Sequence, residues 1–349
     1  MKAITFQGVE SVAYGDVAEP AIGDPGDALV EVTAAGLCGS DLHPYFGRES
    51  GIDRGTVMGH EFVGRVLEVG GAVRDIAVGD RVVAPFTTSC GACFYCGVGL
   101  TARCERGQLF GWVTDGRGLQ GAQAERVRVP LADGTLVHVP DAVADDAVAV
   151  LAGDILSTAL FGAELADVRA GAVVAVVGCG PVGVLVVRAA LERGAAAVFA
   201  VDRVPSRLAL AARFGAVPVD LNEADATQVI LAQNGGRGAD CAIEAVGGAE
   251  ATRTAADLLR AGGNLAAIGV HTEPYLAISP GELYDRNLHY AAGRSSARHF
   301  LPRALALAAR DGALLAELIS HRLPLSNGAE AYRRFGARDD GWTKVVFVA

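Results

Sequence analysis

The stretch GAVVAVVGCGPVGVLVVRAALERGAAAVFAVD, residues 171–202, constrains the fold more strongly than any other part of the chain. It contains an apolar strand, a glycine turn, a helix-length apolar segment and a second strand that ends at Asp202. This order predicts a βαβ unit. Further strand and helix signals follow at 241–247, 251–263 and 264–270, so we expect an alternating α/β sheet in this region.

The glycine turn has the spacing of a dinucleotide-binding loop. Gly178, Gly180 and Gly183 give G-x-G-x-x-G directly after the apolar strand. The first glycine permits a tight turn, the second lets a pyrophosphate approach the backbone, and the third allows close packing of helix on strand. The phosphates would meet the N-terminus of the helix, where free N–H groups favour anions. A sheet that merely needs a tight turn is the alternative interpretation.

The acid after the turn bears on the choice of cofactor. A carboxylate at Asp202 can accept hydrogen bonds from the adenosine ribose hydroxyls and would repel a 2′-phosphate, which favours NAD over NADP. Arg203 follows it, and a guanidinium there can stack on adenine or tolerate a phosphate.

Four cysteines lie close together in SCGACFYCGVGLTARCERG: Cys90, Cys93, Cys96 and Cys104. Four thiolates satisfy tetrahedral Zn²⁺, and two-residue gaps let neighbouring thiolates converge on one ion. A shell closed by four sulfurs leaves no position for substrate, so we expect a structural zinc site. An iron–sulfur cluster is an alternative, which a colourless protein would exclude.

Metal-based chemistry would need an open site elsewhere. Cys38 in GLCGSDLHPY and His60 in VMGHEFVG supply one thiolate and one imidazole. A catalytic zinc typically takes three protein ligands and leaves a fourth position open. From the residues alone, the third ligand is Glu61, Asp154 or Cys179, and the pattern does not choose among them.

Length, composition and charge limit the remaining possibilities. A chain of 349 residues with 51% hydrophobic residues is long enough for two domains. The first third contains short Val-rich runs at 27–36, 62–71, 79–85 and 124–130, which predict a β-rich domain of barrel-like character. A helix is predicted at 303–318 and a final strand at 344–349, which would return to pair with the first domain.

The chain carries no signal for export or for a charged partner. No run of eighteen uncharged apolar residues occurs, and the N-terminus lacks the pattern of a signal peptide, so we expect a soluble cytoplasmic protein. A formal net charge of −10 without a basic stripe argues against nucleic acid or a membrane surface as partner and leaves small molecules. Cysteines in that compartment stay reduced, which favours metal binding over disulfides.

Taken together, these motifs resemble the zinc-dependent medium-chain alcohol dehydrogenases along essentially the whole chain. GLCGSDLH, GHEFVG, CGACFYC with a fourth cysteine, GCGPVG and VD occur in that family's order. The stretches PFTTSCGACFYC, AGDILSTALFGAE and VDRVPSRLALA resemble the branch related to formaldehyde dehydrogenases. The resemblance implies a GroES-like β-rich catalytic domain, residues 1–155 with a return segment 290–349, and a Rossmann domain, residues 156–289, with a doubly wound parallel sheet.

The resemblance also implies a ligand set and a proton relay. Cys38, His60 and Asp154 fall on the catalytic zinc positions, and Glu61 becomes a neighbouring carboxylate able to replace a leaving ligand. Asp41 resembles the acid that orients the ring of the zinc-bound histidine. The implied relay takes the proton of the substrate alcohol from Ser40 through cofactor ribose hydroxyls to His43. An acid at 154 that only caps a helix is the alternative for that position.

Other residues match positions around the cofactor and the substrate. The implied nucleotide contacts, besides the three glycines and Asp202, are Pro181, Val182, Arg203, Arg207, Thr158, Val246 and Val270. Phe86 and Trp112 are candidate walls of the substrate pocket.

The implied activity is reversible hydride transfer between an alcohol, or the corresponding aldehyde or ketone, and NAD. The implied zinc content is one catalytic and one structural ion, and the implied assembly is a homo-oligomer, a tetramer in preference to a dimer. Formaldehyde dehydrogenase, aldehyde dismutase or polyol dehydrogenase activity on the same scaffold is the alternative. A zinc-free reductase would lack Cys38, His60 and the four cysteines, and a zinc-ribbon binding module would need a basic face, where the segment offers only Arg103 and Arg106 against Glu105.

Overall fold

The computed structural model describes residues 1–348, so Ala349, the last residue of the predicted strand 344–349, lies outside the described residues. The chain divides into two units. One, here the split unit, joins Met1–Ser157 to the segment that begins at Ser296. The other, here the continuous unit, is Thr158–Ser295.

The strands of the described residues are β1 Lys2–Gly8, β2 Ser11–Asp16, β3 Ala28–Leu37, β4 Phe62–Val69, β5 Arg81–Ala84, β6 Trp112–Thr114, β7 Arg117–Leu119, β8 Arg126–Val129, β9 Val137–His138, β10 Val173–Val177, β11 Ala197–Asp202, β12 Val217–Asp220, β13 Ala239–Glu244, β14 Leu259–Ala267, β15 His289–Ala292, β16 His321–Pro324 and β17 Val345–Val348.

The helices of the same residues are α1 Leu42–Tyr45, α2 Phe94–Gly97, α3 Ala132–Thr135, α4 Asp146–Gly153, α5 Ile155–Leu165, α6 Pro181–Glu192, α7 Pro205–Arg213, α8 Ala226–Gln233, α9 Ala249–Asp257, α10 Pro280–Arg286, α11 Ala297–Ala316 and α12 Gly328–Gly336.

The continuous unit is built on a parallel six-stranded sheet. Its strands lie in the order β12-β11-β10-β13-β14-β15, and every neighbouring pair is parallel. When helices cover both faces of a parallel sheet, its strands are apolar at every position because no side chain faces water. The sequence VVAVV of β10 has this pattern. Counted along the chain, the order is 3-2-1-4-5-6, that of a doubly wound dinucleotide-binding sheet. The predicted α/β fold class is confirmed for this unit.

The split unit is centred on a mainly antiparallel sheet in the order β16-β17-β3-β4-β5-β9, with β8 also paired to β3. β17 lies between β16 and β3 and is antiparallel to β3, with Val345 opposite Leu37. The C-terminal strand therefore completes a sheet that the first part of the chain begins. An apolar cluster that includes Ile4, Leu37, Tyr332 and Phe347 covers this part of the unit.

Two details of the helices differ from the sequence expectation or refine it. The helix predicted at 303–318 begins earlier, at Ala297, and contains Pro302. Pro302 removes one backbone donor, but packing of α11 against α4 keeps the helix continuous across it.

The apolar run Asp146–Leu165 is long and apolar enough to span a membrane by composition alone, yet 78% of it is buried within the protein. It is interrupted at Asp154, which separates α4 from α5 and leaves the helical region with φ −131° and ψ −76°.

Candidate metal centres and nucleotide site

Four metal-binding side chains of the split unit converge in its interior. Cys38, His60, Glu61 and Asp154 each place one ligand atom within 4.8 Å of those of the other three. Asp154 Oδ2 lies 3.6 Å from Cys38 Sγ and 3.4 Å from His60 Nε2. All four residues are buried, with Glu61 at 0% exposure. The structure therefore brings together Cys38, His60 and two of the three candidates for the third ligand.

Sheet geometry accounts for this convergence. Cys38 directly follows β3, and His60 and Glu61 directly precede β4, which is antiparallel to β3. The end of one strand therefore lies beside the start of the other, and Gly36 N–H donates to the Glu61 carbonyl at 2.9 Å. A side chain at position 36 would collide with Glu61, because an added Cβ would lie 1.9 Å from Oε2. Asp154 reaches the same place from the break between α4 and α5.

The electrostatics of the cluster favour a bound cation. Burial, together with Glu61 and Asp154, raises the pKa of the Cys38 thiol, so without a nearby cation the thiol holds its proton. Burial alone would lower the pKa of His60, but Asp41, Asp154 and Cys38 outweigh it and raise that pKa well above its ordinary value. Nearby anionic groups contribute to both shifts, whereas burial adds to the shift at Cys38 and opposes the shift at His60.

A zinc ion fits this donor set. Thiolate, imidazole and carboxylate are ligand types that Zn²⁺ takes, and a three-ligand set leaves one position open. Glu61 Oε1 is buried and has no hydrogen-bond partner among the described residues, although the Glu61 carboxyl group lies within the donor cluster. A buried carboxylate oxygen without a partner is costly, and a metal ion would satisfy it in any state where Glu61 coordinates.

Asp41 and Ser40, predicted to act beside the metal ligands, contact His60 in the structure, and His43 lies in α1. Asp41 Oδ1 lies 3.1 Å from His60 Nδ1, so Nε2 faces the other ligand atoms. Ser40 Oγ lies 3.2 Å from Cys38 Sγ and 3.2 Å from His60 Nε2. His43 is half-buried in α1, its Nδ1 has no partner among the described residues, and burial lowers its pKa.

The two residues predicted as walls of the substrate pocket, Phe86 and Trp112, lie in different places. The ring of Phe86 lies edge-on to that of His60, with centroids 6.3 Å apart. Trp112 lies in the β6–β7 hairpin, where it pairs with Leu119.

Lys344 is a member of the site that the sequence reasoning missed. Its Nζ donates to Glu61 Oε2 at 2.5 Å and to the Leu37 carbonyl at 3.1 Å, and its side chain is 1% exposed. Burial would lower the pKa of Lys344, but Glu61 outweighs burial and raises it, so the lysine keeps its charge. The only sequence signal was a lysine at the edge of an apolar terminal strand, which also describes ordinary surface lysines.

The four-cysteine lobe forms a second cluster in the split unit. Sγ atoms of Cys90, Cys93, Cys96 and Cys104 lie within 4.8 Å of one another. All four thiols are free, and backbone N–H groups point at them: Cys90 N–H donates to Cys104 Sγ at 3.2 Å and Cys93 N–H to Cys90 Sγ at 3.3 Å. Backbone N–H groups of Cys96 and Glu105 lower the pKa of Cys93 to about 6, whereas burial raises that of Cys96 to about 12. A closed set of four sulfurs suits a structural zinc ion.

In the continuous unit, the glycine turn has the geometry of a phosphate-binding loop. Gly178 has φ +92°, which favours glycine, and Gly180 is the N-cap of α6, with Pro181 in the first turn and Val182 after it. A Cβ at Gly180 would meet no atom within 4 Å, which leaves room for a ligand. A Cβ at Gly183 would lie 1.8 Å from the Gly178 carbonyl oxygen, so α6 can approach β10 only with glycine there.

Asp202 lies beside this turn. Its Oδ2 accepts from the Cys179 N–H at 2.6 Å, and its Oδ1 accepts from the N–H groups of Arg203 and Val204 at 2.6 and 2.9 Å. The Arg203 side chain pairs with Glu250 at 2.6 Å, and both are exposed. Cys179, the third candidate for the ligand position, is buried in the turn, where burial raises the pKa of its thiol.

The remaining predicted cofactor residues are placed as follows. Val246 and Val270 are 55% and 42% exposed at the carboxyl ends of β13 and β14, and Val246 contacts the position a Cβ of Gly178 would occupy. Arg207 is half-buried in α7 and Thr158 lies in α5.

Glu244 at the end of β13 was not predicted from the sequence. It is fully buried, accepts from the N–H groups of Val246 and Gly247 at 2.6 and 2.7 Å, and lies 2.9 Å from His271 Nε2. It therefore fixes the loop that carries Val246. No motif pointed to it, because an acid inside an apolar strand has no fixed role.

Comparisons with known proteins agree with this geometry. Residues 24–141 match the family described as "Alcohol dehydrogenase GroES-like domain", and residues 181–310 match the one described as "Zinc-binding dehydrogenase". The chain is 40% identical to zinc-type alcohol dehydrogenase B of Aspergillus flavus, over 100% of this chain and 81% of that protein. Among solved structures, it is similar to an alcohol dehydrogenase from Thermus sp. ATN1, with TM-score 0.94, 38% identity and coverage of 100% and 99%. It is also similar to 2R,3R-butanediol dehydrogenase from Bacillus subtilis, with TM-score 0.84, 26% identity and coverage of 100% and 99%.

Proposed function

This chain belongs to the zinc-type medium-chain alcohol dehydrogenase family, and from that premise we propose that it transfers hydride reversibly between a neutral alcohol and NAD. The observation that carries the proposal is the convergence of Cys38, His60 and Asp154 in one buried cluster. Zinc held by these three side chains supplies a Lewis acid that lowers the pKa of a substrate hydroxyl.

The protein's own residues hold the ligands and move the proton. Asp41 accepts from His60 Nδ1–H and so presents the Nε2 lone pair to the metal. Ser40 Oγ, placed beside both Cys38 and His60, is our candidate to accept the substrate proton. His43 receives it through cofactor ribose hydroxyls in our proposal: its lowered pKa keeps the ring neutral at pH 7, so the ring can accept a proton, and its Nδ1 has no hydrogen-bond partner among the described residues.

We propose NAD rather than NADP as the physiological cofactor. The carboxylate of Asp202 lies at the end of β11 and is held beside the glycine turn by the Cys179 N–H. A negative charge there would repel a 2′-phosphate. Arg203, which could offset this, is paired with Glu250.

For the substrate, we propose a small neutral alcohol and placement in the formaldehyde dehydrogenase-like branch. Asp154 in the donor set supports that branch, because the resemblance that suggested it places an aspartate at this position. Gly39, next to Cys38, contributes no side chain that could anchor an anion, and a Cβ there would meet no atom within 4 Å. The similarity to a butanediol dehydrogenase favours polyols as the second candidate class.

We propose that residues 1–155 and a C-terminal return segment form the catalytic domain and that the residues between them form the nucleotide domain. The split and continuous units support this division, with the return segment beginning at Ser296 instead of 290, because β15 pairs with β14 in the parallel sheet. We further propose a cytoplasmic homotetramer, whose size light scattering would measure.

The experiment that tests the function combines metal analysis with one substitution. We expect about two zinc ions per chain and NADH formation from members of a panel of alcohols. Cys38→Ser should contain about one zinc, lose turnover and still bind NADH. A matched change in the lobe, Cys93→Ser, should instead remove the other zinc. Retained turnover in Cys38→Ser at one zinc per chain would contradict zinc-assisted hydride transfer at this cluster.

A further inference from the structure

A chain of buried hydrogen bonds extends from Asp41 away from the metal ligands. Gln123 precedes β8 and Tyr332 lies in α12, and both are 0% exposed. The Tyr332 hydroxyl donates to Gln123 Oε1 at 2.8 Å. Gln123 Nε2 donates to Asp41 Oδ2 at 3.2 Å and to the Gly36 carbonyl at 3.1 Å.

In each of these hydrogen bonds, the chemistry of the partners fixes which group donates and which accepts. Gln123 Nε2 faces a carboxylate and a carbonyl, which only accept, so that end of the side chain must be the NH₂ group. Its Oε1 can then only accept, and the Tyr332 hydroxyl is the donor. Burial raises the pKa of Tyr332 well above its ordinary value, so the donor proton is always present.

The carboxylate of Asp41 is consequently surrounded by donors. Oδ2 accepts from Gln123 and from the Cys38 N–H at 3.0 Å, and Oδ1 is left to face His60 Nδ1 at 3.1 Å. With Oδ2 occupied by two donors, Asp41 cannot rotate away from His60 without leaving buried donors unpaired, which is unfavourable. The imidazole is thereby held with Nδ1–H toward Asp41, so that Nε2 is directed at the other ligand atoms.

We propose that Gln123 and Tyr332 are positioning residues of the catalytic zinc site, acting through Asp41 to fix the tautomer and ring orientation of His60. The inference rests on the proposed function, since it assigns His60 as a zinc ligand. Tyr332 is itself fixed by packing: its ring lies 5.4 Å from that of Tyr45 within the apolar cluster of the split unit. Helix α12 therefore contributes to metal binding through Gln123 and Asp41.

The test measures zinc release from the zinc-loaded enzyme to an excess chelator, followed with a zinc-sensitive dye. Release should show two phases, and the phase missing in Cys38→Ser belongs to the catalytic ion. Tyr332→Phe removes one oxygen atom and should speed that phase by about 3- to 10-fold. Direct partners of metal-bound histidines affect metal affinity by about 10–100-fold, and Tyr332 acts more weakly because Gln123 and Asp41 lie between it and His60. The phase of the four-cysteine lobe should stay unchanged.

Two further variants sharpen the comparison. Gln123→Glu keeps the shape but removes the NH₂ donor beside Asp41, so it should speed the same phase more than Tyr332→Phe does. Tyr45→Phe makes the same chemical change as Tyr332→Phe in the neighbouring ring, outside the hydrogen-bond chain, and should leave both phases at the rate of the parent protein.

The outcomes separate this inference from the proposed function. Selective acceleration of the catalytic phase in Tyr332→Phe and Gln123→Glu supports the positioning role. Equal release rates in Tyr332→Phe and Tyr45→Phe, or equal acceleration of both phases, would overturn it, even if the parent enzyme oxidises alcohols. Absence of turnover with every alcohol would count against the function, whereas the release comparison would still report on His60.

Discussion

Removing the buried charge of Lys344 should destabilise the split unit far more than removing the only other lysine. The chain has two lysines, Lys2 and Lys344, each paired with a carboxylate. Lys2 and Asp16 are 2.8 Å apart, with side chains 41% and 81% exposed, whereas the Lys344 and Glu61 side chains are 1% and 0% exposed. Exposed pairs contribute about 0–1 kcal/mol. Breaking a buried pair costs about 3–5 kcal/mol, because the remaining charge is left without compensation.

The magnitude for Lys344→Met follows from what surrounds Glu61. Its carboxylate shares the interior with Cys38 and Asp154, so without the ammonium group Glu61 must take a proton or face other anions. We therefore expect Lys344→Met to lower the free energy of unfolding by about 3–5 kcal/mol and Lys2→Met to leave it almost unchanged, because solvent screens the exposed pair. In Glu61→Gln combined with Lys344→Met, both buried charges are gone, so the double variant should be more stable than Lys344→Met alone.

The assay is urea unfolding of the zinc-loaded protein, followed by tryptophan fluorescence. Both tryptophans, Trp112 and Trp342, lie in the split unit and report on it. Equal losses in Lys344→Met and Lys2→Met, or a double variant no more stable than Lys344→Met, would refute the argument that a buried ion pair supports the site.

Two further predictions concern Asp202 and Asp145. Asp202→Asn removes the charge that would repel a 2′-phosphate, so the ratio of kcat/KM for NAD to that for NADP should fall by about tenfold, equivalent to about 1.4 kcal/mol; an unchanged ratio in steady-state assays would contradict the assigned role. Asp145 caps α4 by accepting from the Ala147 N–H at 3.0 Å, and Arg322 and this bond lower its pKa below the ordinary 3.8. Because its folded-state pKa is lowered, the stabilisation is present above about pH 4 and is lost as pH falls through the folded value. Asp145→Ala should therefore cost about 1 kcal/mol at pH 7 and converge with the parent protein in acid, as urea unfolding at several pH values would show.

The sequence predicted those features of the fold and the site that depend on residues close together in the chain. The glycine turn, the strands around it and the four-cysteine lobe depend on residues close together in the chain, whose spacing has a physical meaning. The family and the fold class were confirmed on that basis. Cys38 and His60 were predicted as metal ligands for the same reason, since each lies in a short polar segment beside an apolar strand, and the structure places them in one cluster.

The features that the sequence did not predict depend on contacts between distant segments. Spacing alone did not choose among Glu61, Asp154 and Cys179, because the choice depends on a break between two helices far from Cys38. Tyr332 and Gln123 are separated by 209 positions, and Lys344 and Glu61 by 283. A tyrosine in an amphipathic helix and a lysine before a terminal strand look the same in a sequence whether they face solvent or a metal site. Only the pairing of β17 with β3 brings Lys344 to Glu61.

The charges of the site balance only when both ends of the chain contribute. A zinc ion with the thiolate of Cys38, the carboxylate of Asp154 and the neutral ring of His60 would sum to zero. Glu61 then adds one negative charge in the interior, and Lys344, delivered by the C-terminal strand, cancels it. The charge of Asp41 is stabilised by three donors from Cys38, His60 and Gln123. Because uncompensated charge in a buried site costs on the order of several kcal/mol, the C-terminal strand stabilises the proposed metal centre by supplying Lys344.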